Sequence, residues 1–451
     1  MNPTYASIVP AADKISFEHA QVIIVGAGPV GLFTALKLAQ GGVDVLLLEA
    51  DKQILQSPRA TTYMPIVLNE LEKVGLFPDI EKAGHKNKEG IIFRKSHAEG
   101  GKTLAQLKMA QVPKGAVKYD FAGIHLGQQT LAEIILSHCE KQKTFRIRWS
   151  HRFVGVKQSG ERDPVTVTSV GPVGEKFFSC DYLIAADGAG SAVRRSLCIP
   201  FEGFTWQDFR FVASNVKYDF EGYGGFTTAN MIVDEEDWAV IARTGPGDAP
   251  WRVAFGVRTD IPEAEILKQL PEKYERLLPG PRPLKYELVS ANPYWAHQRV
   301  AATFKVGKIL LCGDAAHSNN PIGGLGLTTG LLDAAAIANC FLRIYNHNEP
   351  ADALLEKYAK VRRDAWINYT NPQSIDFKFR VHSFHPEVKA ARDGFFDALN
   401  TDPSMHLKMA TMMNEVIEDE FALPELNGLP GTEANDVIEG SKSGTDGVRS
   451  N

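Results

Sequence analysis

The feature that most constrains this chain is a glycine triplet directly after a short apolar run. Gln21-Val22-Ile23-Ile24-Val25 leads into Gly26-Ala27-Gly28-Pro29-Val30-Gly31. The run has the length and composition of a buried strand. Leu32, Ala35, Leu36 and Ala39 then recur at helical spacing, and Gly41-Gly42 ends the helix. Val43 to Glu49 reads as a second apolar strand ending in an acid. Strand, glycine turn, helix and strand make a βαβ unit, in which each glycine has its own task. Gly26 permits the tight turn. Gly28 lets the main chain approach a pyrophosphate, and Gly31 lets the helix pack closely on the strand. Pro29 and Val30 open the helix, whose N-terminus offers unpaired N–H groups and a positive dipole end. Glu49, followed by Ala50, lies 18 residues past Gly31 (49 − 31). That position suits a carboxylate bonding ribose hydroxyls, and it disfavours a 2′-phosphate.

Two later segments extend the pattern. Asp181 to Ala186 reads as a buried strand ending at Asp187-Gly188-Ala189-Gly190-Ser191, with Arg194 and Arg195 beyond. An acid, glycines and arginines at a strand-to-helix corner make a candidate anion site; the bland alternative is a capped helix with surface arginines. Lys308 to Cys312 is another apolar strand, ending at Gly313-Asp314-Ala315-Ala316-His317 and then Pro321-Ile322-Gly323-Gly324-Leu325-Gly326-Leu327. Between them, residues 204–301 change character. Aromatics, valines and turn residues dominate, and alternation predicts antiparallel strands with one covered face. A charged helix is expected over 261–278. Helices are expected over about 324–345, 350–369 and 386–421, and the Gly-, Ser- and acid-rich tail from 424 is expected to be disordered.

Composition excludes several classes. A net charge of −5 gives no reason to expect nucleic acid or an anionic membrane. The five cysteines (139, 180, 198, 312 and 340) are scattered, with no CxxC pair. They read as reduced thiols in a cytoplasmic protein, with no metal site. Residues 1–20 lack the apolar stretch of a signal peptide. The apolar stretch 22–39 carries Lys37 and glycines, so no transmembrane segment is expected.

Gly26-x-Gly28-x-x-Gly31, Asp187-Gly188 and Gly313-Asp314, in that order, resemble the single-component (group A) FAD-dependent aromatic monooxygenases, the p-hydroxybenzoate hydroxylase-like family. The resemblance covers roughly residues 21–377. It implies an α/β fold: a glutathione-reductase-type, Rossmann-like FAD-binding domain with an inserted antiparallel β-sheet substrate domain and C-terminal helices. The corresponding division is 1–90, 128–203 and 302–345 for the FAD-binding domain, 91–127 and 204–301 for the substrate domain, 346–423 for the C-terminal helices and 424–451 for the tail.

Carried over motif by motif, Gly26, Gly28, Pro29, Val30, Gly31, Glu49 and Ala50 resemble the ADP half of the FAD site. Arg59 resembles the family arginine near the flavin and its mobile loop. Gln128 resembles the residue contacting the FAD chain as the next helix opens. Asp187 and Gly188 resemble the pyrophosphate and nicotinamide corner. Gly313 and Asp314 resemble the ribityl contact, and Pro321, Gly324, Leu325, Gly326 and Leu327 the segment along the flavin ring. The family's usual Gln-Gly-Met-Asn is here Leu325-Gly326-Leu327-Thr328.

The implied reaction uses NAD(P)H as co-substrate and O2. An oxygen atom passes from a flavin C4a-hydroperoxide to an aromatic or other electron-rich small molecule, by hydroxylation or epoxidation. No second glycine triplet marks a separate nicotinamide domain. A monomer or homodimer is expected. Alternatives are a flavin-dependent halogenase, whose Trp-x-Trp-x-Ile-Pro segment is absent, and a non-catalytic FAD- or prenyl-binding protein. The acid–base group is expected from the sheet domain, with Arg243, Tyr223 and His297 the leading candidates and Tyr218 and Tyr294 beside them. His317 reads as structural, and His382 and His385 as ordinary polar residues.

Overall fold

The computed structural model describes residues 17–56, 60–160, 163–414 and 421–423. Arg59 and the tail from 424, on which expectations rest above, lie outside the described residues.

The glycine-motif strand Glu18–Val25 is central in a parallel sheet. Val45–Leu48 pairs with it on one side and Gly174–Ala185 on the other. Phe145–Arg148 continues one edge, and Ile309–Leu311 pairs in parallel with Gly174–Ala185 at the other. The central strands are buried on both faces, which explains their unbroken apolar runs. Helix Pro29–Gln40 covers one face and packs against helix Leu325–His347. The latter is long and apolar enough to cross a membrane. However, 83% of its most apolar window is buried inside the protein, as in a core helix.

A second, seven-stranded sheet has the order Glu287–Tyr294, Phe209–Lys217, Trp251–Arg258, Ala239–Arg243, Ala229–Ile232, Gly90–Arg94, Thr103–Lys108. All its pairs are antiparallel except Ala229–Ile232 with Gly90–Arg94, two strands from distant parts of the chain. Alternation separates two faces. Val212, Ile232, Ala239, Ile241, Trp251, Val253 and Phe255 pack outward beneath the helices of 263–277. Phe209, Phe211, Met231, Val240 and Tyr294 pack on the other face with Ile322 of the Pro321 loop and with Ile375, Phe377 and Val381. This second face looks toward the FAD-motif segments.

The expected 261–278 helix is two pieces, Glu263–Ile266 and Leu270–Leu277, with Pro271 in the first turn of the second. The expected 350–369 helix runs on as helix Ala351–Ala365, a π-helical turn Trp366–Thr370 and helix Asn371–His382. The expected 386–421 helix breaks at Asp402-Pro403, where the Asp402 carboxylate accepts the Ser404 N–H (2.9 Å) and starts a new helix.

Candidate active site

The three motifs converge at the carboxyl ends of the parallel strands. Gly26 has φ +110°, and any side chain there would overlap the Ala186 carbonyl, so the first turn is pressed against the 186–187 corner. A side chain on Gly31 would overlap the Gly26 carbonyl. Gly28 differs: a side chain there would meet nothing within 4 Å. It borders open space at the N-terminus of helix Pro29–Gln40, where no side chain caps the helix. The Val30 methyls lie 3.0–3.1 Å from where a Gly313 Cβ would sit, and 3.0 Å from the equivalent point on Gly330. Thus the first motif, the third motif and helix Leu325–His347 meet with no room for added carbon. That helix also begins without a side-chain cap or an acid in its first turn, on Gly324 at φ +69°. Two uncapped N-termini at one sheet end leave N–H groups for an anionic ligand. This matches the phosphate and flavin-ring demands of FAD.

Individual side chains refine the picture. Glu49 accepts the Ala27 N–H at 2.6 Å and the Asp51 N–H at 2.8 Å, tying the glycine turn to the second strand while each oxygen keeps a further lone pair. Gln128 brackets Ala60, donating its backbone N–H to the Ala60 carbonyl and accepting the Ala60 N–H through Oε1. Asp187 caps the helix after it, accepting from Ser191 Oγ, Ala192 N and Val193 N. Arg194 is buried and donates to the carbonyls of Ala315 and Ala189, so it joins the second motif to the third. Asp314 is exposed on a 3-10 turn beside buried neighbours.

Behind Gly313 stands an ionic cluster absent from the candidates above. Asp333 is fully buried and accepts His317 Nε2 (2.7 Å), Arg362 Nε (2.8 Å) and the Gly313 N–H (3.3 Å). Burial alone would raise its pKa, but His317 and Arg362 outweigh that and hold it below the usual carboxylate range. His317 is therefore a structural partner beneath the motif.

The three leading acid–base candidates do not come together. Arg243 lies on the outward face of the sheet with Ile241 and Trp251. Its guanidinium binds Glu221 (2.6 Å) and the Gly247 carbonyl. Tyr223 is partly exposed on the far loop, packed against Tyr218. His297 sits in a separate three-stranded sheet, its Nδ1 2.9 Å from Thr205 Oγ1. The alternation of strand Ala239–Arg243 carries the reason: Val240 and Ala242 face the FAD side, so Arg243 must face away.

On the inward face, the register aligns Ala213, Ala254, Val240 and Met231 across four strands. Ala213 and Ala254 put small side chains in this row, while Val240 and Met231 pack with Ile322 of the Pro321 loop. Arg252, paired in register with Ala242 and Asn215, lies on this face. It is buried and donates Nε to Asn215 Oδ1 at 2.9 Å. Burial draws its pKa down, opposed by Tyr294. Tyr294 is in turn pushed up to about 12 by burial, against nearby Arg252. At the other end of the face, Lys378 is fully buried. Its Nζ lies 4.3 Å from the Trp206 ring centre, 5.0 Å from Phe209, 5.5 Å from Trp238 and 5.9 Å from Phe211. It donates to His382 Nε2 at 2.9 Å, while His382 Nδ1 donates to the Lys378 carbonyl. Burial draws the Lys378 amine down to about 7, with Asp208 opposing. His382 is thus a buried partner, while His385 is exposed.

Sequence comparison places this geometry among known proteins. A family profile described as "FAD binding domain" matches residues 19–370. Para-nitrophenol 4-monooxygenase of Pseudomonas sp. (strain WBC-3) is 36% identical over 84% of this chain and 92% of its own. 6-Hydroxy-3-succinoylpyridine 3-monooxygenase HspB of Pseudomonas putida (strain DSM 28022 / S16) is 35% identical over 79% of this chain and 87% of its own. The crystal structure of p-nitrophenol 4-monooxygenase PnpA from Pseudomonas putida DLL-E4 superposes with a TM-score of 0.83 at 34% identity, covering 89% of this chain and 99% of that one. The fold is shared with aklavinone-11 hydroxylase in its complex with FAD and aklavinone (TM-score 0.73, 24% identity, 83% of this chain and 71% of that one).

Proposed function

Because the chain belongs to the FAD binding domain family, we propose that it is an FAD-dependent monooxygenase that hydroxylates a hydroxyl-bearing aromatic ring with NAD(P)H and O2. Bound FAD would supply the redox chemistry, hydride acceptance from the nicotinamide and O2 activation for transfer of one oxygen atom to the ring. The chain's residues hold and orient. The open space at Gly28 and the N-terminus of helix Pro29–Gln40 receive the pyrophosphate. The spare lone pairs of Glu49 receive ribose hydroxyls. Asp314 would hold the ribityl chain, and the uncapped N–H groups at the start of helix Leu325–His347 would serve the flavin ring.

The observation that carries the substrate reading is the inward face of the large sheet. There the small side chains of Ala213 and Ala254 lie on the face that meets Ile322 of the Pro321 loop, with Arg252 buried on the same face. Apolar walls exclude water and fit a ring, while a buried guanidinium fits an anionic or strongly polar substituent on it. Both named relatives act on rings that already carry a hydroxyl and a polar substituent. Halogenation and non-catalytic binding find no support among these relatives.

The test is to add NADH or NADPH to the FAD-loaded protein with a panel of substituted phenols and hydroxypyridines. Nicotinamide oxidation should be stimulated at least about tenfold by one class, with a hydroxylated product. Oxidation indifferent to every ring in the panel counts against the reading.

A further inference from the structure

His125 lies on strand Ile124–His125, between two elements that bound the proposed ring site. One is Thr62–Tyr63, which pairs with it and leads to Met64, whose Cε lies 4.0 Å from where a Gly324 Cβ would sit. The other is the end of strand Ala239–Arg243, just past Ala242 of the inward face. The ring is fully buried. Its Nδ1 lies 3.0 Å from the Arg243 carbonyl oxygen, with Thr62 Oγ1 farther off at 3.4 Å. A carbonyl only accepts, so Nδ1 carries the proton and donates it. This assigns the tautomer and leaves Nε2 with a bare lone pair. Nε2 is buried and has no partner among the described residues. The two ring nitrogens point in diverging directions, so Nε2 faces away from the carbonyl that Nδ1 engages. A buried acceptor without a donor costs free energy unless a ligand supplies one.

We infer that His125 Nε2 accepts the hydroxyl proton of a phenolic substrate. The inference rests on the monooxygenase reading and adds to it the residue that takes the substrate's hydroxyl proton. In the step, the phenol O–H bond breaks and the proton moves to Nε2. The electron pair stays on oxygen, so phenolate and imidazolium form together and no other reagent is consumed. The phenolate then makes the ring electron-rich for oxygen transfer.

The surroundings keep the resting ring neutral. Burial first, with the charges of His85 and Arg243 adding, draws its pKa down to about 4, against the hydrogen bond to the Arg243 carbonyl. His85 in turn meets Thr228, which donates to Glu89, and Arg243 is paired with Glu221. An opposing phenolate offsets the cost of charging the ring.

His125→Asn retains an N–H for the Arg243 carbonyl but removes the basic Nε2, since an amide oxygen can accept a hydrogen bond but not take up the proton. In the FAD-loaded variant, kcat/KM for a phenol should fall about 100-fold below the phenol's own pKa and recover above it, where phenolate is supplied ready-made. A variant as active as wild type at every pH, or slowed equally on both sides of that pKa, overturns the inference. A second measurement needs neither variant nor turnover: wild-type binding of a phenol against its methyl ether, read from the flavin absorbance change. The phenol should bind at least about tenfold more tightly, and equal binding overturns the assignment. Preferential phenol binding without stimulated nicotinamide oxidation instead breaks the monooxygenase reading and leaves His125 as the hydroxyl acceptor.

Discussion

In the FAD-motif region, the positions that matter are those where a side chain is missing. In the sheet region they are polar side chains buried where apolar ones are the norm. Gly26, Gly31, Gly313 and Gly330 form a seam in which each added carbon meets backbone or the Val30 methyls. Arg252, His125 and Lys378 are instead buried polar groups: Arg252 donates to Asn215, His125 meets the Arg243 carbonyl, and Lys378 donates to His382 among aromatic rings. The first region binds a ligand by shape and backbone donors. On the proposed reading, the second does so by a few groups whose ordinary protonation burial has shifted. The glycine seam leaves no room for an added side chain; the second region should respond in graded, pH-dependent ways.

The largest effect should come from Gly26→Ala. The new methyl overlaps the Ala186 carbonyl at a φ that alanine avoids, so the purified protein should lose nearly all bound flavin, read from its visible absorbance. Asp333→Asn should follow, costing about 3–5 kcal/mol in denaturant unfolding because the buried Arg362 guanidinium loses its counter-charge. The sign of the pH effect follows from its depressed pKa. The stabilisation is present above the usual carboxylate range and is lost as pH falls below it.

Lys378→Met tests the sheet region directly. The unfolded lysine keeps its proton to about 10.5, whereas the folded one releases it near 7. Between these values the unfolded chain binds more protons, so wild-type stability rises with pH and is least below 7. The variant should therefore be more stable than wild type, on the order of 2–4 kcal/mol at pH 6, with the gain vanishing toward pH 10.5. His382, drawn down to about 4, contributes a separate slope in acid. Arg252→Met should retain flavin but lower kcat/KM for an anionic ring by roughly 10- to 100-fold, equivalent to about 1–3 kcal/mol. Arg243→Ala should change stability by less than about 1 kcal/mol and leave turnover intact, since its partner Glu221 is largely exposed. If Arg243→Ala instead abolishes turnover and Arg252→Met does not, the assignment of the two faces is inverted.

The same contrast decides how much could be read from the sequence. The glycine motifs announced themselves because their constraint is local: a strand end, a turn and a helix start lie within a dozen residues. Glu49 and the 204–301 sheet were legible for the same reason, through spacing and alternation. Arg252 and Arg243 were not separable by type, since both are arginines on aromatic-flanked strands. Only the register, with Ala242 opposite Arg252, shows which one faces inward. One signal was within reach: in Val240-Ile241-Ala242-Arg243, fixing Ile241 as outward fixes Arg243 with it. His125 and Lys378 offered no local cue. Their meaning depends on partners 118 residues away in one case and on four rings from other strands and loops in the other.

Strand Glu18–Val25 takes one parallel neighbour from residues 45–48 and the other from residues 174–185, which must in turn be joined by 309–311 before Gly313 can reach Val30. The nucleotide motif is therefore synthesised well before the strands of 174–185 and 309–311 that complete its opposite wall. Such distant parallel pairings form slowly. Cofactor capture that needs both walls should accordingly be a late event in folding, and a flavin-coloured molecule one whose sheet has closed. The yellow fraction of a preparation counts completed folds before it measures affinity.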